Sequence, residues 1–164
     1  GLRGKLRDWD RAASGHKNIS PFYGLAESPG WGKVPSLVIP LYGMDINQYI
    51  RHTSKTNTLI LLLKVADALA YMHSLSPPVI HGAIRGGNIH IDEHGEPKLV
   101  DIGLEHLPRA FGVSEGQHDR DYLRWLAPEV INPPNEYDEQ DHDVSYDTST
   151  PEADVWSFGM TMLE

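Results

Sequence analysis

The 164-residue chain contains no cysteine. That excludes a disulfide framework and any cysteine-ligated zinc site, and it fits a reducing compartment. Long apolar runs are also lacking. The greasiest stretch, residues 59–69, is broken by Lys64 and Asp67, and no run approaches the ~18 residues of a membrane-crossing helix. The N-terminus, Gly1-Leu2-Arg3-Gly4-Lys5, has neither an initiator Met nor the apolar core of a secretion signal. Both ends read as cut from a longer chain. Basic residues are missing from the last quarter: no Lys or Arg follows Arg124, whereas residues 125–164 carry ten acids. Only Arg3, Lys5, Arg7 and Arg11 form a basic cluster, too modest for a phosphate backbone, so nucleic acid is excluded as a partner. The expectation is a cytoplasmic protein with no membrane contact. What remains is ordinary: 40% apolar, 23% charged, net charge −9, enough for one domain.

Residues 2–14 mix charge with apolar groups and read as one helix, stopped by Gly15. Residues 19–23 read as a short extended piece, 26–35 as a turn-rich loop, and 36–40 as a β-branched run closed by proline. Leu59, Leu62, Leu63, Ala66, Ala70 and His73 follow helical spacing, with Thr56, Asn57 or Thr58 as cap. Ile60, Leu61, Val65 and Leu69 make the other faces apolar too, so this helix is expected to be buried nearly all round. Ile89-His90-Ile91 and Lys98-Leu99-Val100, joined by a turn at 93–95, read as a hairpin. Residues 104–124 read as irregular and the acidic, proline-containing stretch 132–152 as a surface insertion. A helical pattern returns from Ala153 to Leu163.

Glycine spacing invites two phosphate-loop readings, and both fail. Gly82 and Gly87 have Walker-loop spacing, but Asn88 and Ile89 stand where Lys and Ser/Thr are needed. Gly30-Trp31-Gly32 begins a G-x-G-x-x-G, but Pro35 takes the third glycine position. Nine histidines raise the question of a metal, yet His90 and His94 lie across a strand and a turn, and zinc needs three or four convergent ligands.

Four motifs occur in order: His81-Gly82-Ala83-Ile84-Arg85-Gly86-Gly87-Asn88, Asp101-Ile102-Gly103, Ala127-Pro128-Glu129 and Asp154-Val155-Trp156-Ser157-Phe158-Gly159. Together they resemble the C-terminal lobe of a eukaryotic-type protein kinase. Arg124-Trp125-Leu126 before Ala127 points to the tyrosine-kinase-like serine/threonine branch, and Phe158-Gly159-Met160-Thr161 is similar to its fungal members. His16-Lys17-Asn18-Ile19 resembles the turn after helix C. The resemblance implies an α+β protein-kinase-like fold over residues 1–164. Residues 1–39 would be a remnant of the N-lobe (helix C and strands 4–5), 40–42 the hinge, and 43–164 a C-lobe ending in helix F.

It also implies roles. The family's catalytic loop carries H-R-D-x-x-x-x-N, whose Asp handles the substrate hydroxyl and whose Asn holds magnesium. Here His81 and Asn88 match, but the Asp position is Ala83. Arg85 matches a phosphate-touching Lys, as a fork rather than a point charge. Asp101 matches the metal-chelating Asp, with Gly103 completing the motif. Ile39, Leu41 and Tyr42 would border an adenine, with Ile39 as gatekeeper. Asp154 resembles the buried Asp that anchors the catalytic loop, and Glu129 the Glu that pairs with a later Arg. Tyr122 stands where a Thr often contacts the catalytic Asp, and with Ser114 and the hydroxyls of 145–150 it is a candidate phosphorylation site.

The departures decide the expected function. Ala83 cannot take a proton. The glycine-rich loop and the strand-3 Lys have no counterpart in this sequence, and no Glu falls between Lys5 and Asp8 to pair with that Lys. The expectation is a pseudokinase: a signalling or binding module with weak affinity for ATP and Mg²⁺, whose partners are proteins, an active kinase among them. Two alternatives stay open. One is a fragment of an active serine/threonine kinase that transfers the γ-phosphate of ATP to protein hydroxyls. The other is a gene remnant with no biochemical role.

Overall fold

Leu2, Leu6, Trp9 and Ala13 recur every three or four residues, and that stripe folds as helix α1 (Leu2–Ala13). The structure is a computed structural model that describes residues 2–26, 35–54, 57–102, 104, 122–132 and 150–164. Trp9 is wholly buried, stacks on Phe22 with ring centroids 5.5 Å apart, and donates from Nε1 to the Ser20 carbonyl at 2.7 Å. Truncating so buried a ring costs about 3–5 kcal/mol, so this contact ties α1 to the segment that follows it. Arg11 adds a second tie, donating to the carbonyls of Ser76 and Pro77 at 3.0 and 2.7 Å.

Strands β1 (Gly24–Ala26) and β2 (Ser36–Val38) pair antiparallel, Leu25 opposite Leu37. The extended piece expected at 19–23 divides in two. Ile19 makes a lone parallel bridge to Leu99, and the strand proper starts at Gly24, whose φ of +147° only glycine adopts readily. The loop expected at 26–35 lies, beyond Ala26 and before Pro35, outside the described residues.

A short helix, α2 (Ile46–His52), appears where no element was expected. Asp45 caps it in a reciprocal box with Gln48. Asp45 also ends strand β3 (Met44–Asp45), which pairs with β4 (Ile89–Ile91); β4 pairs in turn with β5 (Pro97–Leu99). The expected hairpin is thus present, its second strand beginning one residue earlier and a third strand added.

Helix α3 (Thr58–Ser74) is capped by Asn57, whose side chain accepts from the Ile60 N–H. Its burial corrects the sequence expectation. Leu61, Val65, Ala68, Leu69 and Met72 are buried, whereas Leu59, Ile60 and Leu63 are exposed. Apolar residues surround the helix, so periodicity could not select the face that packs. The described residues cover one side of α3 only. Helix α4 (Pro128–Ile131) is a single turn. Helix α5 (Pro151–Thr161) starts two residues earlier than expected, because Thr150 caps it and Pro151 takes the first position. Most of the irregular segment at 104–124 and of the insertion at 132–152 lies outside the described residues. Small antiparallel sheets beside segregated helices make an α+β fold, with the core between α1, α3 and the β3–β4–β5 sheet.

Candidate functional site

The segment from His81 to Asn88 links α3 to β4 and is fastened at one end to α5 and at the other to Glu164, three residues beyond α5. Asp154, 1% exposed, sits in the first turn of α5. Its carboxylate accepts from the His81 N–H at 2.9 Å and the Gly82 N–H at 2.8 Å, and lies 2.8 Å from His73 Nε2. Gly82 has a φ of +76°, which the tight turn onto the carboxylate requires. At the other end, the Glu164 carboxylate accepts from the Gly86 N–H at 3.0 Å and from Asn47 Nδ2 at 2.6 Å. Gly86 lies so close to the Asn47 side chain that a Cβ there would collide with it.

His81 is fully buried, and Ala83 N–H donates to its Nδ1 at 3.3 Å. Burial pushes its imidazole below the ordinary range, against the opposing pull of Asp154 and Asp101. It is therefore a neutral scaffold residue. The Ala83 methyl is buried beside a cavity of about 10 Å³, room for one water, walled by Gly82, Arg85, Tyr122, Trp125 and Ser157. Arg85 and Tyr122 are half-buried there. Among the described residues the wall carries a cation, Arg85, and two hydroxyls, Tyr122 and Ser157, but no carboxylate.

The two candidate metal ligands come together through the sheet. Asn88 precedes β4, Asp101 lies two residues after β5, and the Val100 N–H donates to the Asn88 carbonyl at 3.1 Å. Asn88 Nδ2 donates to the Ala83 carbonyl at 2.8 Å, which fixes the amide and leaves its oxygen for a cation. Asp101 has a φ of +59°, an uncommon backbone for a residue other than glycine. No group of three His, Cys, Asp or Glu side chains converges among the described residues. Two oxygen donors suit magnesium, which takes its other ligands from water and substrate phosphates, and do not suit zinc.

The segment between β2 and β3 holds the three residues expected at an adenine. Ile39 is half-buried. Leu41 is 100% exposed. Tyr42 is half-buried, its hydroxyl 2.8 Å from Ser20 Oγ and its ring against His90. Glu129 is exposed on α4. Gly103 and Ser114 lie outside the described residues, as do all the hydroxyls of 145–150 except that of Thr150.

Sequence reasoning missed His73, Asn47 and Glu164. His73 was legible only as a position on α3's spacing, and Asn47 lies on a helix too short to show a period. Glu164 gave no local signal, because its partner Gly86 is 78 positions away.

Residues 12–164 match the family model described as protein tyrosine and serine/threonine kinase. The chain is 33% identical over 125 residues to a protein described as a probable inactive serine/threonine-protein kinase, samkD of Dictyostelium discoideum, covering 76% of this chain and 19% of that one. It is 30% identical over 114 residues to the probable serine/threonine-protein kinase samkB of the same organism, covering 68% and 17%. To interleukin-1 receptor-associated kinase 1 of Bos taurus it is 28% identical over 155 residues, covering 91% and 21%. The chain spans about one fifth of the length of these relatives.

Proposed function

This chain belongs to the protein tyrosine and serine/threonine kinase family, and from that premise we propose that it is a catalytically impaired member, a pseudokinase segment that binds protein partners and holds Mg·ATP weakly. One observation carries the reading: a buried methyl, Ala83, occupies the position at which the family places its substrate-orienting carboxylate. Positioned acid–base groups contribute roughly 10²–10⁴-fold to rate. Bound magnesium would neutralise the phosphate charge. Asn88 and Asp101 would hold it, Arg85 would face a phosphate, and Ile39 and the 40–42 backbone would border the base.

The partners are proteins. An active kinase that modifies the Tyr122 hydroxyl is the one for which this site offers a substrate group. No helix among the described residues is long and apolar enough to cross a membrane. With the absence of cysteine, this supports cytoplasmic residence.

A thermal melt tests the nucleotide half of the proposal. Mg·ATP at about ten times its Kd stabilises a fold by about 1.4 kcal/mol, a shift of about 3–5 °C. The shift is expected to need magnesium and to vanish in Asp101→Ala. A shift indifferent to both removes Asn88 and Asp101 from the site. A cooperative melt with no shift leaves a scaffold that ignores nucleotide.

A further inference from the structure

Tyr42 makes contacts that the nucleotide reading leaves unused. Its ring lies against that of His90, with centroids 5.7 Å apart and planes tilted by 41°. Its hydroxyl shares a 2.8 Å hydrogen bond with Ser20 Oγ. Ser20 is fully buried and rigidly placed: its N–H donates to the Leu99 carbonyl at 2.9 Å, and its own carbonyl accepts from Trp9. The phenol is therefore held along its length. Burial raises its pKa above the ordinary tyrosine value, as expected for a hydroxyl withdrawn from water.

The register of the sheet shows what Tyr42 covers. β3 follows the 39–43 segment directly and pairs Asp45 with His90 and Met44 with Ile91. Asn88 immediately precedes β4, and His90 is two residues, about 7 Å, further on. Ile89 and Ile91 point into the core, so the half-buried His90 points to the opposite face of the strand. A nucleotide with its phosphates at Asn88 and Asp101 and its base against residues 39–42 must lie across that face. The Tyr42 ring is already there. Beneath it, His90 Nδ1 is buried with no hydrogen-bond partner among the described residues.

We propose that Tyr42 is an internal occupant of the base slot: its phenol stacks over His90 where a flat base would lie, and nucleotide binds only when the ring swings out and the Ser20 bond breaks. This rests on the nucleotide-binding reading above and adds a built-in restraint to it. Apparent affinity falls in proportion to the fraction of molecules with the slot open.

Titration with a fluorescent N-methylanthraniloyl ATP and magnesium tests this on the wild type, Tyr42→Ala, Tyr42→Phe and Ser20→Ala. Tyr42→Phe removes only the hydroxyl bond, and Ser20→Ala removes it together with the Ser20 Oγ bond to the Pro21 carbonyl at 3.1 Å, so both are expected to bind about threefold to tenfold more tightly. Tyr42→Ala, which also empties the slot, is expected to gain at least as much. In the wild type, the nuclear Overhauser contact between the Tyr42 and His90 rings is expected to fade as Mg·ATP saturates. Unchanged or weaker binding in the hydroxyl variants, or a ring contact that persists at saturation, overturns the self-occupancy and leaves nucleotide binding standing. No binding by any of the four proteins overturns both.

Discussion

Replacing Asp154 tests the geometry that holds the catalytic loop. Its carboxylate satisfies two backbone donors, His81 N–H and Gly82 N–H, and lies beside His73, all from a position 1% exposed. Asp154→Ala strands both amides. A buried donor left without a partner costs about 1–3 kcal/mol, so two cost about 2–6 kcal/mol, a large share of a typical domain's stability. At about 2–4 °C per kcal/mol for a chain of this size, the melt should fall by about 12 °C. Asp154→Asn keeps one oxygen but turns an amide N–H₂ toward a donor, so it should lose about half as much. Circular dichroism reads the melt, and hydrogen exchange reads the two amides, which should lose protection in both variants. A melt for Asp154→Asn within about 2 °C of wild type, with Gly82 exchange unchanged, would refute the reasoning.

Other consequences are as direct. Gly86→Ala drives a methyl into the Asn47 side chain that Glu164 holds, so it should cost about 1–3 kcal/mol in a denaturant melt, and Asn47→Ala in the same chain should recover most of it. Asp45→Ala removes the α2 cap and should cost about 1 kcal/mol by the same measurement. Burial lowers the His81 pKa, so the unfolded chain takes up a proton near pH 6.5 that the folded chain refuses, and stability should fall as pH drops below that value. His81→Gln should flatten this limb in melts between pH 8 and 5. Glu96 acts in the same direction at lower pH: Lys64 and Asn18 hold its carboxyl below the ordinary value of 4.5, so its contribution persists above that pH and is lost as pH falls below it. Glu96→Gln should remove only that second, more acidic limb.

Short motifs with local grammar were legible in the sequence, and contacts across the chain were not. The hairpin 89–99 announced itself by alternation and a turn, and α1 by its mix of charged and apolar residues ending at Gly15. The side of α3 that packs could not be read, because Leu59, Ile60 and Leu63 are as apolar as Leu61, Val65 and Leu69. Helix α2 was missed because seven residues are too few for a period; its one local sign was Asp45 three residues before Gln48. Likewise, the expected adenine contacts Ile39, Leu41 and Tyr42 did not reveal that Leu41 turns outward while Tyr42 folds back to Ser20. That depends on where Trp9 and Leu99 place Ser20, which no local pattern encodes.

Under the proposed function, a kinase-family chain with Ala83 in its loop does not transfer phosphate. Incubation of the purified chain with γ-labelled ATP, magnesium and general protein substrates, beside Asp101→Ala as a control, tests it most directly. Label incorporation should be equal in the two proteins and equal to background. Incorporation on serine or threonine that Asp101→Ala abolishes would contradict it.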